Sequence, residues 1–297
     1  MNKKAIITGG DSGIGSGMAA CFAKAGFDIA ITSIELDEKA HKIEKELTEK
    51  YGINFYKYNM DLAQKDALPR IIEKAYEDLG GLDVMVNNAI LPLGKNELMD
   101  LQDENIDHMV YGNLRSLIVG MRTAAKIFIK NKTRGVILNT SSVRGEGAFV
   151  EDGLYCGLKA AINQLSRTFA LELGQYGIRV NCIEPGYIRV RSDEQLRAAG
   201  ADEAEIRRWL REGEKVPLGR YGLPEDVGNL ATFLVSDKAE YISGVCLPID
   251  GALSVAGQPI EFEYEEGVEE FGWNVGAKME TKGWGLMKNR NHPELMQ

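Results

Sequence analysis

Short apolar, β-branched runs alternate with longer helical patterns along most of this chain, and few architectures accept that rhythm. "KKAIITGG" reads as a strand and "GSGMAACFAKAG" as a helix ended by Gly26. The strand pattern returns in "FDIAITS", "INFYKYNMDL", "LDVMVNNA", "GVILNTSS", "IRVNCIEPG" and "GVCLPIDG". Between these stand "LDEKAHKIEKELTEKYG", "ALPRIIEKAYEDLGG", a long helical stretch around 103–130, a helix after residue 152, and "PEDVGNLATFLVS". Strands joined by helices of this length form a parallel sheet with right-handed crossovers and helices on both faces. The expected fold class is therefore α/β, a single doubly wound parallel sheet over residues 1–253.

Two segments leave that rhythm. Residues 187–217, "YIRVRSDEQLRAAGADEAEIRRWLREGEKVP", form a charged, helical excursion after the strand ending at Pro185. It falls at the carboxyl edge of the sheet, where open α/β folds bind ligands, and is expected to be a substrate loop. Residues 254–297 carry Phe262, Tyr264, Phe271, Trp273 and Trp284, too many aromatics for a typical disordered tail. They are expected to form an ordered arm over the domain or a neighbouring subunit.

The 297 residues are 44% hydrophobic and 27% charged, an ordinary soluble profile. A net charge of −9 argues against nucleic acid or an anionic membrane as partner, since both call for basic surface. No apolar run approaches the ~18 residues of a membrane span, and the N-terminal run stops at Gly9, too short for a signal peptide core. Cys21, Cys156, Cys182 and Cys246 lack C-x-x-C or zinc spacing, and His41, His108 and His292 are scattered. No metal site is expected, and the thiols suit a reducing, cytoplasmic setting.

"TGGDSGIG" follows the first strand and opens the first helix. Gly9, Gly13 and Gly15 let the backbone approach a pyrophosphate, whose charge meets free N–H groups at the helix N-terminus. Strand, turn, helix and second strand come in the order a Rossmann-like nucleotide site requires. Further on, Tyr155 and Lys159 share one helix face at i, i+4 spacing. Alone, such a pair is as readily two solvated side chains as an acid and the charge that tunes it.

The order of motifs resembles the short-chain dehydrogenase/reductase family. The turn is T-G-x-x-x-G-x-G; "MDL" (Asp61, Leu62), "NNAI" (Asn87 to Ile90), Asn113 in "YGNLRSL", "NTSS" ending at Ser142, "YCGLK" and "EPGY" follow in sequence. The likeness covers about residues 3–253, with Ile90 in place of a glycine and Val190 in place of a threonine. It implies a nicotinamide cofactor held by Gly9, Asp11, Ser12, Gly13, Ile14, Gly15, Ser33, Asp61, Leu62, Asn88, Ala89, Ile90, Tyr155, Lys159, Pro185, Gly186 and Ile188. Ser33, at the end of the second strand, is neutral, and Asp11 and Glu35 lie around it with no Lys or Arg before Lys39. Carboxylates repel a 2′-phosphate, so NAD is expected, although Ser33 itself also tolerates NADP.

In the mechanism the resemblance implies, Tyr155 exchanges a proton with a carbonyl or alcohol oxygen and Ser142 hydrogen-bonds the same oxygen. Lys159 favours the phenolate and holds the nicotinamide ribose, and Asn113 supports a water leading to solvent. Arg144, Phe149 and Tyr187 are the expected substrate residues, with Glu146, Leu91, Leu93, Arg189, Arg191, Trp209 and Leu210 nearby. Their mixture suits the hydroxyls of a sugar or polyol, or the apolar body of a hydroxysteroid. The expected partner is thus a small ketone or alcohol, with a 3-oxoacyl reductase or a non-catalytic nucleotide sensor as alternatives. The resemblance also implies a homo-oligomer, a dimer or tetramer.

Overall fold

The central strands are buried on both faces, which is why their segments read as nearly unbroken apolar runs. The computed structural model describes residues 2–91 and 97–255; Leu93, the aromatics of the C-terminal arm and the side chain of Trp209 lie outside the described residues. The strands are β1 (Lys4–Thr8), β2 (Asp28–Ser33), β3 (Phe55–Asn59), β4 (Val84–Asn87), β5 (Val136–Thr140), β6 (Arg179–Pro185) and β7 (Cys246–Ile249). They form one sheet in the order β3-β2-β1-β4-β5-β6-β7, every neighbouring pair parallel. The chain builds outward from β1 to β3, then returns to place β4 on the other side of β1. The carboxyl ends of β1 and β4 therefore flank a topological switch point, where loops part and leave a crevice.

Pleat alternation divides the core in two. Ala5, Ile7, Val84, Val86, Val136, Leu138 and Ile183 face α1 (Gly13–Lys24), α2 (Glu38–Tyr51) and α9 (Pro224–Val235). Ile6, Met85, Ile137, Val180 and Cys182 face α3 (Ala67–Leu79), α5 (Ser116–Asn131) and α6 (Gly153–Gly174). Phe22 on the first side and Phe128 on the second are wholly buried; burying such a side chain contributes about 1.5–3 kcal/mol. Helix ends follow their sequence signals: the Asp37 carboxylate accepts from Lys39 N and Ala40 N at the start of α2, and Gly52 ends it in a left-handed conformation. Helices α1 and α9 meet backbone to backbone, since a Cβ on Gly17 would lie 2.3 Å from Pro224 and one on Gly228 2.4 Å from the Gly17 carbonyl.

A buried polar ladder fixes α6 on the sheet. Asn87 donates to Asn139 at 2.9 Å, and Asn139 donates to the Ser166 hydroxyl at 2.9 Å, linking β4, β5 and α6. Satisfied groups of this kind specify one docking of a helix where apolar contact alone permits several. The helical stretch expected around 103–130 is α4 (Asp103–Met109), a π turn at Val110–Arg115, and α5. The excursion folds into α7 (Asp193–Ala198) and α8 (Glu203–Glu214), the first closed by a Ser192/Gln195 capping box.

Candidate active site

The glycine turn leaves β1 and bends sharply into α1. Gly9 has φ 62° and Gly13 φ 51°, a region that disfavours side chains. A Cβ on Gly15 would sit 1.9 Å from the Gly9 carbonyl oxygen. Ser12, at the N-cap, makes no side-chain bond to the helix, so the first-turn N–H groups of α1 are left to the crevice. Across the switch point, Thr8 Oγ1 accepts from Asn88 N at 2.9 Å and Ala89 N at 3.0 Å. Asn88 Nδ2 returns bonds to the carbonyls of Thr8 (3.0 Å) and Gly9 (3.3 Å), so Asn88 braces the turn. A glycine cradle held open at a helix N-terminus fits the pyrophosphate of a nicotinamide dinucleotide.

The other expected cofactor residues surround this cradle with different degrees of freedom. Ser33 is buried, and its hydroxyl donates to the Glu35 carbonyl at 2.6 Å, shaping the bend that follows β2. Asp61 accepts from Ala63 N at 2.8 Å, while the Leu62 side chain turns into the core. Gly186 stands against Asp250, whose Cβ would be 2.5 Å from any Cβ placed there. Ile188 pairs with Gly222, and Val190 reaches back over the glycine turn, its Cγ1 3.5 Å from where a Gly13 Cβ would stand. The first segment of the excursion thereby roofs the cradle.

The residues expected to carry proton chemistry converge beside it. β5 delivers Ser142 just past its end, and α6 delivers Tyr155 and Lys159 on one face. Burial raises the Tyr155 pKa above its usual value, and the Ser142 hydroxyl works against that by favouring the phenolate. Arg144 also favours the phenolate and Cys156 opposes it. Ser142 Oγ further donates to the Pro185 carbonyl at 3.5 Å and accepts from Arg144 N at 3.2 Å. Lys159, 5% exposed, donates from Nζ to the Thr140 carbonyl at 2.9 Å and stands 5.5 Å from the centre of the Tyr155 ring. Burial lowers its pKa to about 8.

Asn113 lies in the π turn, a local widening that recurs at functional sites. Its Oδ1 accepts from Leu91 N at 2.7 Å and its Nδ2 donates to the Leu91 carbonyl at 3.1 Å. The side chain thus pins the segment after β4. A cavity of about 20 Å3, lined by Asn113, Ser116, Thr140 and Lys159 with Leu62 and Ile90, adjoins it; that volume admits about one water.

The expected substrate residues are engaged within the chain. The Arg144 guanidinium pairs with Asp152 and lies 4.8 Å from the centre of the Phe149 ring. Glu146 turns towards α6, accepting from Asn163 at 3.0 Å and Arg167 at 3.1 Å. Beside them Glu184 is buried and its carboxyl titrates near 7, raised by burial first and by Glu146 second. Arg189 pairs with Asp193, and the Tyr187 ring lies 6.1 Å from that of Tyr221. A larger cavity of about 300 Å3 opens under the excursion between Arg189, Arg191, Leu196, Ile206, Leu210 and Tyr221. Sequence reasoning missed Thr8, Thr140 and Asp152; the first two stand inside quoted motifs, whereas Asp152 carries no signal apart from preceding the helix. Among the described residues no cluster of His, Cys, Asp and Glu could hold a metal, and no helix is long and apolar enough to cross a membrane.

Comparison with known proteins agrees with this geometry. Residues 9–254 match the family model described as enoyl-(acyl carrier protein) reductase. A diacetyl reductase [(S)-acetoin forming] of Staphylococcus epidermidis is 35% identical over 271 residues, covering 85% of this chain and 99% of the relative. The 2-dehydro-3-deoxy-D-gluconate 5-dehydrogenase of Escherichia coli is 31% identical over 249 residues, covering 84% and 94%. Among solved structures, a 7α-hydroxysteroid dehydrogenase complexed with NADH and 7-oxo glycochenodeoxycholic acid superposes with a TM-score of 0.73 at 30% identity, covering 84% and 93%. With its glycine cradle, its serine–tyrosine–lysine cluster and these relatives, the chain belongs to the short-chain dehydrogenase/reductase family, an oxidoreductase of the CH–OH/ketone class.

Proposed function

We propose that the protein interconverts a secondary alcohol and a ketone with NAD(H), acting on a sugar or polyol or on a hydroxysteroid. The observation that carries this reading is the Ser142–Tyr155 hydroxyl pair beside the glycine cradle, with Lys159 one turn along the same helix. When bound, the nicotinamide supplies or accepts a hydride at the carbon bearing the reacting oxygen. In the reducing direction Tyr155 Oη gives its proton to that oxygen, and Ser142 Oγ donates a hydrogen bond that orients it. Oxidation runs the same transfer backwards. The Lys159 ammonium favours the phenolate, and the polar cavity at Asn113 offers a path for the returning proton.

The acidic surroundings of Ser33 support NAD(H) over NADP(H). Asp11 and Glu35 flank the end of β2, and Lys39 lies beside Asp37 at 3.8 Å. The 300 Å3 cavity combines Arg189, Arg191 and Asp193 with Val190, Leu196, Ile206, Leu210 and Tyr221, a mixture that suits the hydroxyls of a sugar or polyol or the apolar body of a hydroxysteroid. The protein is proposed to work as a homo-oligomer, dimer or tetramer. Nicotinamide absorbance followed with keto sugars, α-diketones, ketosteroids and β-keto esters, each with NADH and NADPH, tests the reading. Turnover with a keto sugar or a ketosteroid and NADH is expected. Cofactor binding without turnover on every ketone would replace the enzyme by a nucleotide sensor.

A further inference from the structure

We infer that Arg144 and Asp152 form a clamp that ties the Ser142 turn to the helix presenting Tyr155, which makes Arg144 a positioning residue for proton transfer. The inference rests on the reading of Tyr155 as proton donor and acceptor. Arg144 lies two residues beyond Ser142, in the short 3-10 turn that follows β5, and its backbone N–H donates to Ser142 Oγ at 3.2 Å. Its side chain spans to Asp152, the residue immediately before α6. The Asp152 carbonyl in turn accepts from Cys156 N at 2.8 Å in the first turn of the helix that presents Tyr155. One ion pair therefore joins the serine turn to the tyrosine helix across seven residues of intervening loop.

The pair is sheltered, with side-chain exposures of 22% for Arg144 and 9% for Asp152, and the guanidinium is stacked on Phe149. A planar fork held by a carboxylate and a ring face has little freedom, so it fixes position as well as charge. The groups facing Tyr155 are Ser142 and Arg144 from the serine turn, with Cys156 and Lys159 from its own helix. Lys159 Nζ stands 5.5 Å from the centre of the Tyr155 ring while donating to the Thr140 carbonyl, and Arg144 adds a second cation that favours the phenolate from the serine turn. Asp152 offsets part of the Arg144 charge.

The test uses full-length Arg144→Gln, Arg144→Lys and Asp152→Asn. Phenolate ultraviolet absorbance is titrated without cofactor, taking the difference from the same protein carrying Tyr155→Phe, and the pH profile of alcohol oxidation is recorded in parallel. Arg144→Gln is expected to move the Tyr155 midpoint up and to lower kcat below the midpoint by about tenfold. Arg144→Lys is expected to restore the midpoint but only part of kcat, because an ammonium cannot hold carboxylate and ring face together. Asp152→Asn should lower kcat while leaving the midpoint at or below that of the parent. An unmoved midpoint in Arg144→Gln, with a raised KM for anionic substrates, would make Arg144 a substrate-binding residue and overturn the inference. A shifted phenolate titration in a protein that turns over no ketone would leave the clamp standing and remove the functional reading instead.

Discussion

Lys159 brings an ammonium to a place that is 5% exposed, where burial lowers its pKa to about 8 against about 10.4 in an unfolded chain. Below pH 8 both states are protonated and the folded protein bears the full cost of the buried charge. Between about 8 and 10.4 the unfolded chain holds more protons than the folded one, so stability from this group rises with pH. Lys159→Met removes the buried charge and, with it, the hydrogen bond to the Thr140 carbonyl. Denaturant unfolding is expected to show the stability of the variant relative to the parent falling by about 3 kcal/mol as pH rises through that window. A gap that stays constant with pH would mean that Lys159 is not buried as a cation. At this scale the site was partly legible. Tyr155 and Lys159 share a helix face by spacing, but that spacing alone is ambiguous, and they and Ser142 stand out through the motif order of the family they resemble. The Arg144–Asp152 pair did not, because its formation depends on how the loop 143–152 folds back, which no spacing encodes. Asn113 was visible as a residue but not as a brace on Leu91, since the π turn that aims it has no sequence pattern of its own.

The strand–turn–helix unit at residues 4–24 shows what an element contributes beyond its residues. Gly15 is tolerated there only without a Cβ, which would strike the Gly9 carbonyl and, at 2.7 Å, Asn88 Nδ2. Gly157, by contrast, lies exposed in α6 between Tyr155 and Lys159, and a Cβ on it would meet nothing within 4 Å. Gly15→Ala is expected to weaken cofactor binding by at least about tenfold in a fluorescence titration, by forcing the cradle apart. Gly157→Ala is expected to bind cofactor as the parent does and to gain about 0.4–1 kcal/mol of stability, from reduced chain entropy in the unfolded state. Equal affinity in both variants would contradict the cradle. The strands and most helices were legible because parallel strands buried on both faces read as apolar runs and their helices carry a 3.6-residue stripe. Pairing was not: the Asn87–Asn139–Ser166 ladder joins residues far apart in sequence, and single polar residues inside apolar segments look alike whether they brace or bind.

The whole molecule places its chemistry by topology. Because the sheet grows from β1 in both directions, the ends of β1, β4, β5 and β6 converge on one edge, and Thr8, Asn88, Ser142 and Pro185 meet there. The alternation of elements implied such an edge, and the motif order implied which loops would occupy it. The substrate side was less legible, since α7 and α8 combine charged and apolar residues whose inward faces are set by tertiary contact. The central claim is that this edge assembles a tyrosine acid/base beside a separately built cofactor cradle. Tyr155→Phe tests it most directly, with turnover and cofactor affinity measured on the same protein. Turnover is expected to fall by at least about a thousandfold, in the range of a lost general acid, with NADH affinity within about twofold of the parent because the cradle is untouched. Turnover near the parent's level would contradict the account.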